Sequence, residues 1–451
     1  MNPIQLADLA IHVKHLQLQG DACLRGVSTD TRSLHSGDLF IALQGPQFNG
    51  HNFIAQAKHL GAAAVVVSEV PTCDIPYLLV KNTHQAYCEI AHWYRQQFHI
   101  PVIGLTGSVG KTTTKEMIGA ILQQHANPLV TTKNFNNTIG VPQTLLQLDS
   151  HHTHAVIEMG MNKPGEIARC SYTAEPTVAL LLCVAAVHIE AFGTLEAIAR
   201  EKASIFSGLQ TDGWAVLNAD DPFLDLWRAD LLPTQRVMTF GFSKTADCRI
   251  QLQESSQGLK PRCTVFTPNG AIDLTLSLLG EHHVINAAAA AAVATCLNIP
   301  TDDIQAGIQA VVPLEQRLRL IEGVNNATII DDSYSASFKA MQAALDLLAQ
   351  QPGKRIAILG DMRELGEHSV AFHQQLGEYA RKCRIDAIYS YGEYSRYYHE
   401  TFHDLGEHFV NQQDLIAKVL TLSQPDVTFL VKGSRALRME HIVSALIKRN
   451  V

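Results

Sequence analysis

The sequence feature that most constrains the fold is a glycine-rich loop between an apolar run and an amphipathic segment. The stretch VIGLTGSVGKTTTKEM runs from Val102 to Met117. Its beginning is typical of a buried parallel strand, and Met117, Ile118, Ile121 and Leu122 recur at helical spacing. A strand, a glycine loop and a helix in that order direct backbone N–H groups and a positive helix end at one point. The stretch therefore predicts a loop that binds nucleotide phosphates.

This loop is shorter than the common G-x-x-x-x-G-K-[ST] pattern, because residue 105 is leucine and the sequence reads G-x-x-G-K-T from Gly107. Gly107 and Gly110 let the backbone approach an anion, Lys111 supplies a charge for the outer phosphates, and Thr112 offers a hydroxyl to Mg²⁺. The alternative is a glycine-rich turn with a surface lysine, which the flanking strand and helix argue against. The residues expected to contact the nucleotide here are Thr106, Gly107, Ser108, Val109, Gly110, Lys111, Thr112 and Thr113.

Composition narrows the class of protein. A chain of 451 residues, with 46% hydrophobic and 17% charged residues, is expected to form about three globular domains. The net charge of −8 offers no basic field for a nucleic acid. The nine cysteines are scattered without a C-x-x-C pair, which favours a reducing compartment over a disulfide framework or a zinc site. Without a signal-peptide core or a run that could span a bilayer, we expect a soluble, cytoplasmic protein, and we predict a monomer.

Three segments differ in their patterns. Residues 1–82 mix short strands, helices and glycine turns and predict a small α/β domain. Residues 83–312 alternate strand and helix patterns, which predicts a central doubly wound parallel sheet with ligands at the carboxyl ends of its strands. Residues 313–451 repeat the alternation as a C-terminal Rossmann-like α/β domain. We expect the two larger domains to form a cleft that closes over ATP.

Polar residues at predicted strand ends are further candidates. Glu158 ends AVIEMG in the same sheet as the loop, where a bound Mg²⁺ needs an oxygen ligand, although a capping or solvated glutamate would look the same. The asparagines of NFNNTIG either form a turn or donate to phosphates. His188 follows the strand VALLLCV, and Lys202 lies on the next helix, on a face with Ile198 and Ile205.

Ten segments in order along nearly the whole chain resemble the Mur ligase family, the ATP-dependent amide-forming enzymes of peptidoglycan precursor synthesis. They are STDTRSLHSGDLFIALQG, TGSVGKTTTKE, NFNNTIGVP, EMGMNKPGEI, HIEAFGTLE, NADDP, GEHHVINAAAA, DDSYSAS, LGDMRELG and VKGSRALRME. The resemblance implies that the short G-x-x-G-K-T loop is the phosphate loop of this family.

The resemblance further implies a reaction and its substrates. The expected activity joins D-alanyl-D-alanine to UDP-N-acetylmuramoyl-tripeptide through an acyl phosphate, with ATP converted to ADP and phosphate. The first domain would bind the UDP-muramoyl peptide, and the C-terminal domain would bind the incoming dipeptide. Whether the third residue of the tripeptide is diaminopimelate or lysine stays open.

The same resemblance assigns roles to individual residues. Lys111 would hold the β- and γ-phosphates, Thr112 and Glu158 a first Mg²⁺, and His188 with a carbamylated Lys202 a second Mg²⁺. The remaining nucleotide contacts would be Asn137 to phosphate, Asn286 to adenine, Arg317 to the phosphates and Asp331 to the ribose. The UDP end of the substrate would contact Ser28, Thr29, Asp30 and Arg32.

Some positions depart from the pattern of the family, namely Ser335, Phe338, His283 and Asn49. They leave the fine substrate contacts open and the nucleotide chemistry unchanged. The related ligase that adds the third amino acid is the nearest alternative, but its DNPR stretch is absent. Folylpolyglutamate synthetase would lack the STDTRSLHSGDLF segment, and a P-loop kinase or regulatory NTPase would leave His188, Lys202 and the first domain without a role.

Overall fold

A computed structural model describes residues 3–45, 48–253, 260–403 and 405–447 of the chain. Three large sheets follow one another along the sequence, with five, nine and six strands. Short 3₁₀ helices, which lie mostly at turns between the main elements, are Gly50–Phe53, Ser204–Gly208, Val324–Asn326, Gly366–His368, Ser395–Tyr398 and Arg435–Leu437.

The first sheet has the order β2-β7-β6-β5-β4, with only β2 antiparallel to its neighbour. Its strands and the small β1–β3 pair beside it are β1 Ile4–Gln5, β2 Gln17–Gln19, β3 Cys23–Leu24, β4 Gly26–Ser28, β5 Asp38–Ile41, β6 Ala64–Val67 and β7 Tyr77–Leu79. The helices of this part are α1 Leu6–Ala10, α2 Ile54–His59 and α3 Thr83–Gln96. All of these strands are short, the central strands β5 and β6 are buried throughout, and Asn82 caps α3 by accepting a hydrogen bond from the backbone N–H of Gln85.

The central sheet has the order β16-β15-β14-β13-β12-β11-β8-β10-β9. Its strands are β8 Val102–Thr106, β9 Pro128–Val130, β10 His154–Glu158, β11 Val178–Leu181, β12 Trp214–Asn218, β13 Arg236–Gly241, β14 Cys248–Gln253, β15 Arg262–Thr267 and β16 Gly270–Thr275. Its helices are α4 Lys111–Leu122, α5 Gly140–Leu145, α6 Glu166–Ala174, α7 Ile189–Phe192, α8 Leu195–Ala203, α9 Leu224–Ala229, α10 His282–Cys296 and α11 Thr301–Ala310.

Both faces of the central sheet are covered. Alternate strand residues point to opposite faces, so that Ile103 and Val156 pack in one apolar cluster while Val102 and Ile157 pack in the other. Alanines 287–292 of α10 are fully buried in the first cluster, and their small side chains let this helix lie close to the strands. Burial on both faces explains why these strands read as continuous apolar runs.

The third sheet has the order β17-β18-β22-β19-β20-β21, with only β17 antiparallel to its neighbour. Its strands are β17 Arg319–Glu322, β18 Thr328–Asp332, β19 Lys354–Gly360, β20 Ala387–Tyr391, β21 Leu405–Phe409 and β22 Val427–Lys432. Its helices are α12 Phe338–Ala349, α13 Ser369–Lys382, α14 His399–Phe402, α15 Gln412–Thr421 and α16 Glu440–Leu446.

The predicted α/β class and the parallel central sheet are confirmed. An addition that the sequence did not predict is the antiparallel meander β14–β16, which extends the central sheet at one edge. The domain boundaries at 82 and 312 stay predictions. No helix within the described ranges combines the length and the apolar character needed to cross a membrane.

Candidate functional site

The order of the central strands brings the glycine loop and Glu158 together. Strand β8 lies between β10 and β11, so the chain leaves it toward one side for β9 and β10 and toward the other for β11 and β12. This is a topological switch point, where ligands of doubly wound sheets bind. Because β8 and β10 pair in parallel with Leu105 opposite Glu158, the glutamate lies next to the residues that begin the loop.

The loop adopts a conformation that requires its glycines. Gly110 has φ +86°, and a Cβ there would collide with Oδ1 of Asn286. A Cβ at Gly107 would lie 2.8 Å from Cβ of Leu182, at the end of β11. Lys111 folds back over the loop and donates from Nζ to the carbonyl of Gly107 at 2.7 Å. Burial lowers the pKa of Lys111, and the nearby Glu158 carboxylate partly opposes that shift.

Thr112 and Glu158 form a compact oxygen cluster at the start of α4. The Thr112 hydroxyl lies 3.4 Å from Oε1 of Glu158, and that same oxygen accepts a hydrogen bond of 2.8 Å from the amide of Asn136. Oε2 of Glu158 is buried and has no hydrogen-bond partner among the described residues. A buried, unpaired carboxylate oxygen beside a hydroxyl fits the oxygen donor set that Mg²⁺ prefers.

The protein supplies few ligands of its own at this position. Within the described ranges, no three histidine, cysteine, aspartate or glutamate side chains converge to hold a metal ion. A cation at Thr112 and Glu158 would therefore take its remaining ligands from phosphate oxygens and water, as Mg²⁺ in nucleotide sites does.

The two neighbouring asparagines differ in their contacts. Asn137 accepts hydrogen bonds from the backbone N–H groups of Ile139 and Gly140 at 3.0 and 2.8 Å and so caps the start of α5. Asn136, which the sequence did not single out over its neighbour, contacts Glu158. Its backbone carbonyl also accepts from Gly160 at 2.7 Å. The signal available in the sequence was the NFNN run, which does not reveal which amide faces the sheet.

His188 lies at the carboxyl side of β11 in a left-handed conformation, with φ 62°. Its Nδ1 pairs with Oε2 of Glu364, a residue of the third domain. The hydrogen bond from His188 lowers the pKa of the Glu364 carboxyl. The sequence did not identify Glu364, although it lies in the LGDMRELG segment.

Lys202 is 2% exposed on α8. Its Nζ has one weak polar contact, the sulfur of Met161 at 3.8 Å. Burial lowers the pKa of Lys202 well below its ordinary value, and the charge of Lys111 lowers it further. The site thus contains a buried amine that favours its neutral form.

Arg317 connects the third domain to the loop. Its guanidinium donates to the Thr112 hydroxyl at 3.2 Å and lies 4.3 Å from the ring centre of Tyr334. Asp331, at the end of β18, accepts hydrogen bonds from the hydroxyl and backbone N–H of Ser333. Burial raises the pKa of Asp331.

Asn286 lies beneath the end of the loop, on the first turns of α10. Its amide nitrogen is 3.2 Å from Nδ1 of His283, and its oxygen faces Gly110. The neighbouring His282 has a pKa lowered to about 4 by burial and by the charge of Lys432. Lys432 itself forms a buried 2.6 Å ion pair with Asp332, a pair that the sequence did not predict.

The predicted UDP-binding segment lies in the first domain, after β4. The Ser28 hydroxyl donates to the backbone carbonyl of Asp30 at 2.9 Å, and the Asp30 carboxylate pairs with Arg32 at 2.6 Å. Thr29 lies between them and is partly buried. None of the hydrogen bonds or ion pairs found for these four residues within the described ranges joins them to the glycine loop.

Comparison with known proteins places this arrangement in a family. The models described as "Mur ligase family, catalytic domain", "Mur ligase middle domain" and "Mur ligase, glutamate ligase domain" match residues 24–102, 105–294 and 316–435. The UDP-N-acetylmuramoyl-tripeptide--D-alanyl-D-alanine ligase of Escherichia coli (strain K12) is 42% identical over 435 residues, which cover 95% of each chain. The ligase of the same name from Bacillus subtilis (strain 168) is 35% identical over 94% of this chain and 93% of that protein.

Solved structures agree with these matches. A crystal structure of MurF from Acinetobacter baumannii has a TM-score of 0.91 and 32% identity, with both chains fully covered. The structure of MurF ligase from Thermotoga maritima in complex with ADP has a TM-score of 0.82 and 26% identity over 93% of this chain and 96% of that one. Because the family models together cover most of the sequence and full-length relatives exceed 30% identity, this chain belongs to the Mur ligase family.

Proposed function

We propose that this protein is an ATP-dependent, ADP-forming ligase that joins D-alanyl-D-alanine to UDP-N-acetylmuramoyl-tripeptide in peptidoglycan precursor synthesis. The observation that carries the proposal is the 42% identity with a ligase of that name over 95% of both chains. The geometry supports it, because the switch point of the central sheet combines a phosphate loop, a carboxylate and an arginine from the third domain.

The reaction requires two transfers. A carboxylate oxygen of the tripeptide attacks the γ-phosphorus of ATP, the bond to the β-phosphate oxygen breaks, and ADP leaves. The amine of the dipeptide then attacks the acyl phosphate, loses a proton and expels inorganic phosphate as the amide forms. Several anionic groups meet in these steps, so cations must hold and neutralise them.

The chain's own residues would divide this task. Lys111, whose Nζ donates to the carbonyl of Gly107 in the loop, would contact the β- and γ-phosphates, and Thr112 with Glu158 would hold one Mg²⁺. The unpaired oxygen of Glu158 supports that assignment. The ion, when bound, would neutralise phosphate charge, while Arg317 would add a second positive group from the third domain.

A second Mg²⁺ would be held by His188 and a carbamylated Lys202. A protonated lysine would repel a cation, whereas the reaction of a neutral amine with CO₂ gives an anionic oxygen ligand. The burial of Lys202 and its lowered pKa favour that neutral amine. A lysine without this modification, packed against Met161, is the alternative.

The other predicted contacts remain part of the proposal. Asn137 would contact phosphate, Asn286 the adenine and Asp331 the ribose, and the segment 28–32 would hold the UDP group. The contacts of Asn137 and Asn286 inside the protein compete with these roles, so substitution at each position is needed to assign them.

The monomeric state and the cytoplasmic location also remain predictions.

The dipeptide would bind in the third domain. A cavity of about 420 Å³ lies beyond the ends of β19 and β20, and its lining includes Arg363, Glu393 and Arg396. Neither arginine forms a salt bridge within the described ranges, so either can pair with the dipeptide carboxylate. Arg363 of this cavity directly precedes Glu364, the residue that contacts His188. Replacing Arg363 or Arg396 by alanine should raise KM for the dipeptide about tenfold and leave KM for ATP unchanged, whereas Arg381→Ala should change neither.

The direct test measures phosphate release with ATP, UDP-muramoyl-tripeptide and a panel of amino acids and dipeptides. We expect release only when the tripeptide substrate and D-alanyl-D-alanine are both present. Release without an acceptor would indicate a regulatory NTPase. Release with UDP-muramoyl-dipeptide and a single amino acid would indicate the ligase that adds the third residue.

A further inference from the structure

The contact between His188 and Glu364 joins the central and third domains beside the predicted metal site. Oε2 of Glu364 pairs with Nδ1 of the His188 ring. The backbone carbonyl of Glu364 also accepts a hydrogen bond of 3.3 Å from the N–H of Glu190. Both the side chain and the backbone of Glu364 therefore face the start of α7.

The loop that carries Glu364 is anchored on both sides. Met362 and Leu365 are buried in the apolar core of the third domain. The backbone N–H of Met362 donates to Nε2 of His373 at 3.1 Å, and that of Arg363 donates to the Ser434 hydroxyl at 3.1 Å. Glu364 itself has φ 64°, a left-handed conformation that its anchored neighbours maintain.

The segment that carries His188 is anchored as well. Ile189, the next residue, packs against the apolar clusters of both the central and the third domain. A Cβ at Gly366 would lie 3.3 Å from Cγ of Glu190, so the loop and α7 approach each other closely. His188 and Glu364 thus meet through two well-held backbones and not through flexible side chains alone.

This geometry determines which nitrogen of His188 is available. A neutral imidazole that donates its Nδ1–H to a carboxylate keeps a lone pair on Nε2. No other hydrogen bond to this ring occurs in the described part of the chain. Histidines that bind metals commonly donate their other ring N–H to a carboxylate, which sets the tautomer and the ring orientation.

We propose that Glu364 is a positioning residue that holds His188 as the Nδ1–H tautomer and directs its Nε2 toward the second cation. This inference rests on the proposed role of His188 in binding that cation. Glu364 belongs to the third domain. Docking of that domain against α7 and cation binding at His188 should therefore strengthen each other.

The tautomer can be observed in the metal-free, full-length protein. Long-range ¹H–¹⁵N spectra of histidine-labelled protein, with the His188 signals assigned through His188→Gln, should show the Nδ1–H tautomer in the wild type. Glu364→Gln keeps a carbonyl acceptor and should retain this pattern, whereas Glu364→Ala should lose it. The Nε2–H tautomer in the wild type, or an unchanged pattern in Glu364→Ala, would overturn the proposal.

Cation affinity gives a second readout that does not depend on turnover. Mn²⁺ binding to the full-length protein with ADP, followed by electron paramagnetic resonance, should weaken about tenfold in Glu364→Ala at one class of site. Glu367→Gln is the matched control, because it removes the same charge from the same loop at a side chain that is 90% exposed and whose one salt bridge among the described residues is with His368.

The outcomes separate this inference from the proposed function. If His188→Gln weakens Mn²⁺ binding and Glu364→Ala does not, the positioning role is wrong and the metal role of His188 stands. If neither variant changes Mn²⁺ binding, the metal role of His188 fails and the inference about Glu364 fails with it. A loss in Glu367→Gln equal to that in Glu364→Ala would mean that the loop charge matters and not the contact with His188.

Discussion

The two halves of the site are built in different ways. The phosphate half consists of the glycine loop, Thr112, Glu158 and Asn136, and its contacts lie within the central sheet and its loops except for the hydrogen bond from Arg317 of the third domain to Thr112. The other half contains His188 and Lys202. His188 is held by a residue of another domain, and Lys202 has almost no polar partner. We therefore describe the first half as preformed by the central domain and the second as docking-dependent, and the proposed carbamate of Lys202 would add a modification to the second.

The largest expected effect tests the preformed half. Lys111→Ala should lower kcat by about 10²–10³-fold or more if Lys111, as we propose, neutralises charge that grows during phosphoryl transfer. Lys115, one turn later, is a matched comparison, since it is 2% exposed and donates to the carbonyl of Thr131 at 2.7 Å. Lys115→Ala should lower thermal stability instead. Turnover close to wild type in Lys111→Ala would contradict the assignment of the phosphate loop.

In the docking-dependent half, substitution of Lys202 should lower kcat almost as much. Lys202→Ala should lose about 10²-fold in kcat, since it removes the ligand that we propose for the second metal ion. Added formate or acetate should restore part of the rate by supplying a carboxylate in the space left by the side chain. An alanine variant that turns over at the wild-type rate would rule out the carbamate, and His188 would then have to hold the ion without it.

The pH dependence of the free energy of unfolding tests the burial of Lys202 independently of catalysis. In CO₂-free buffer, Lys202→Met should raise the free energy of unfolding near pH 7 by about 1–3 kcal/mol, because a poorly satisfied buried polar group is removed. Folding lowers the pKa of Lys202 from its ordinary value of 10.5. Between the lowered pKa and pH 10.5 the unfolded chain therefore binds more protons than the folded chain, so wild-type stability rises with pH over this range. The advantage of methionine should therefore shrink as pH approaches 10.5. Denaturant titrations at several pH values would measure it, and a constant difference would show that Lys202 stays protonated when buried.

Substitution of Asn136 and Asn137 tests which of these adjacent residues belongs to the preformed half. Asn136→Ala should weaken binding of the Mg²⁺–nucleotide complex about tenfold, because Glu158 loses a charge-assisted hydrogen bond that orients it. Asn137→Ala should cost about 1 kcal/mol of stability through loss of the α5 cap. Calorimetric binding and thermal unfolding of both variants would distinguish these effects. If Asn137→Ala instead weakens nucleotide binding at unchanged stability, the predicted phosphate contact is supported.

The smallest expected effect concerns the arginine that reaches across the cleft. Tyr334→Leu removes the ring on which Arg317 stacks at 4.3 Å. Since such contacts contribute about 0.5–1 kcal/mol at exposed sites, KM for ATP should rise about two- to fivefold with little change in kcat. Arg381→Ala, which leaves Arg317 and the proposed dipeptide cavity untouched, serves as the control for KM of ATP. A fall in kcat without a change in KM would mean that Tyr334 acts on the chemical step and not on nucleotide binding.

Much of the phosphate half could be read from the sequence because it depends on short-range rules. A strand followed by Gly107, Gly110 and Lys111 defines its own backbone path, and Glu158 at the end of an apolar run lies at the same sheet edge in any parallel arrangement. The choice between Asn136 and Asn137 could not be made, because the turn between β9 and α5 decides which amide faces the carboxylate.

By itself, the sequence determined the α/β class and the positions of the glycine loop and of Glu158 at a strand end, since these follow from local patterns of apolar residues, glycine and charge, and ten quoted segments carried the resemblance to the family. Only the tertiary structure decided that Glu364 meets His188, that Arg317 reaches Thr112 and that Lys432 pairs with Asp332. Each of these contacts joins segments far apart in the chain, and such pairings are set by how whole sheets and helices pack, which no local pattern encodes. For the same reason the full extent of the burial of Lys202, which lowers its pKa well below the ordinary value, was known only from the tertiary structure.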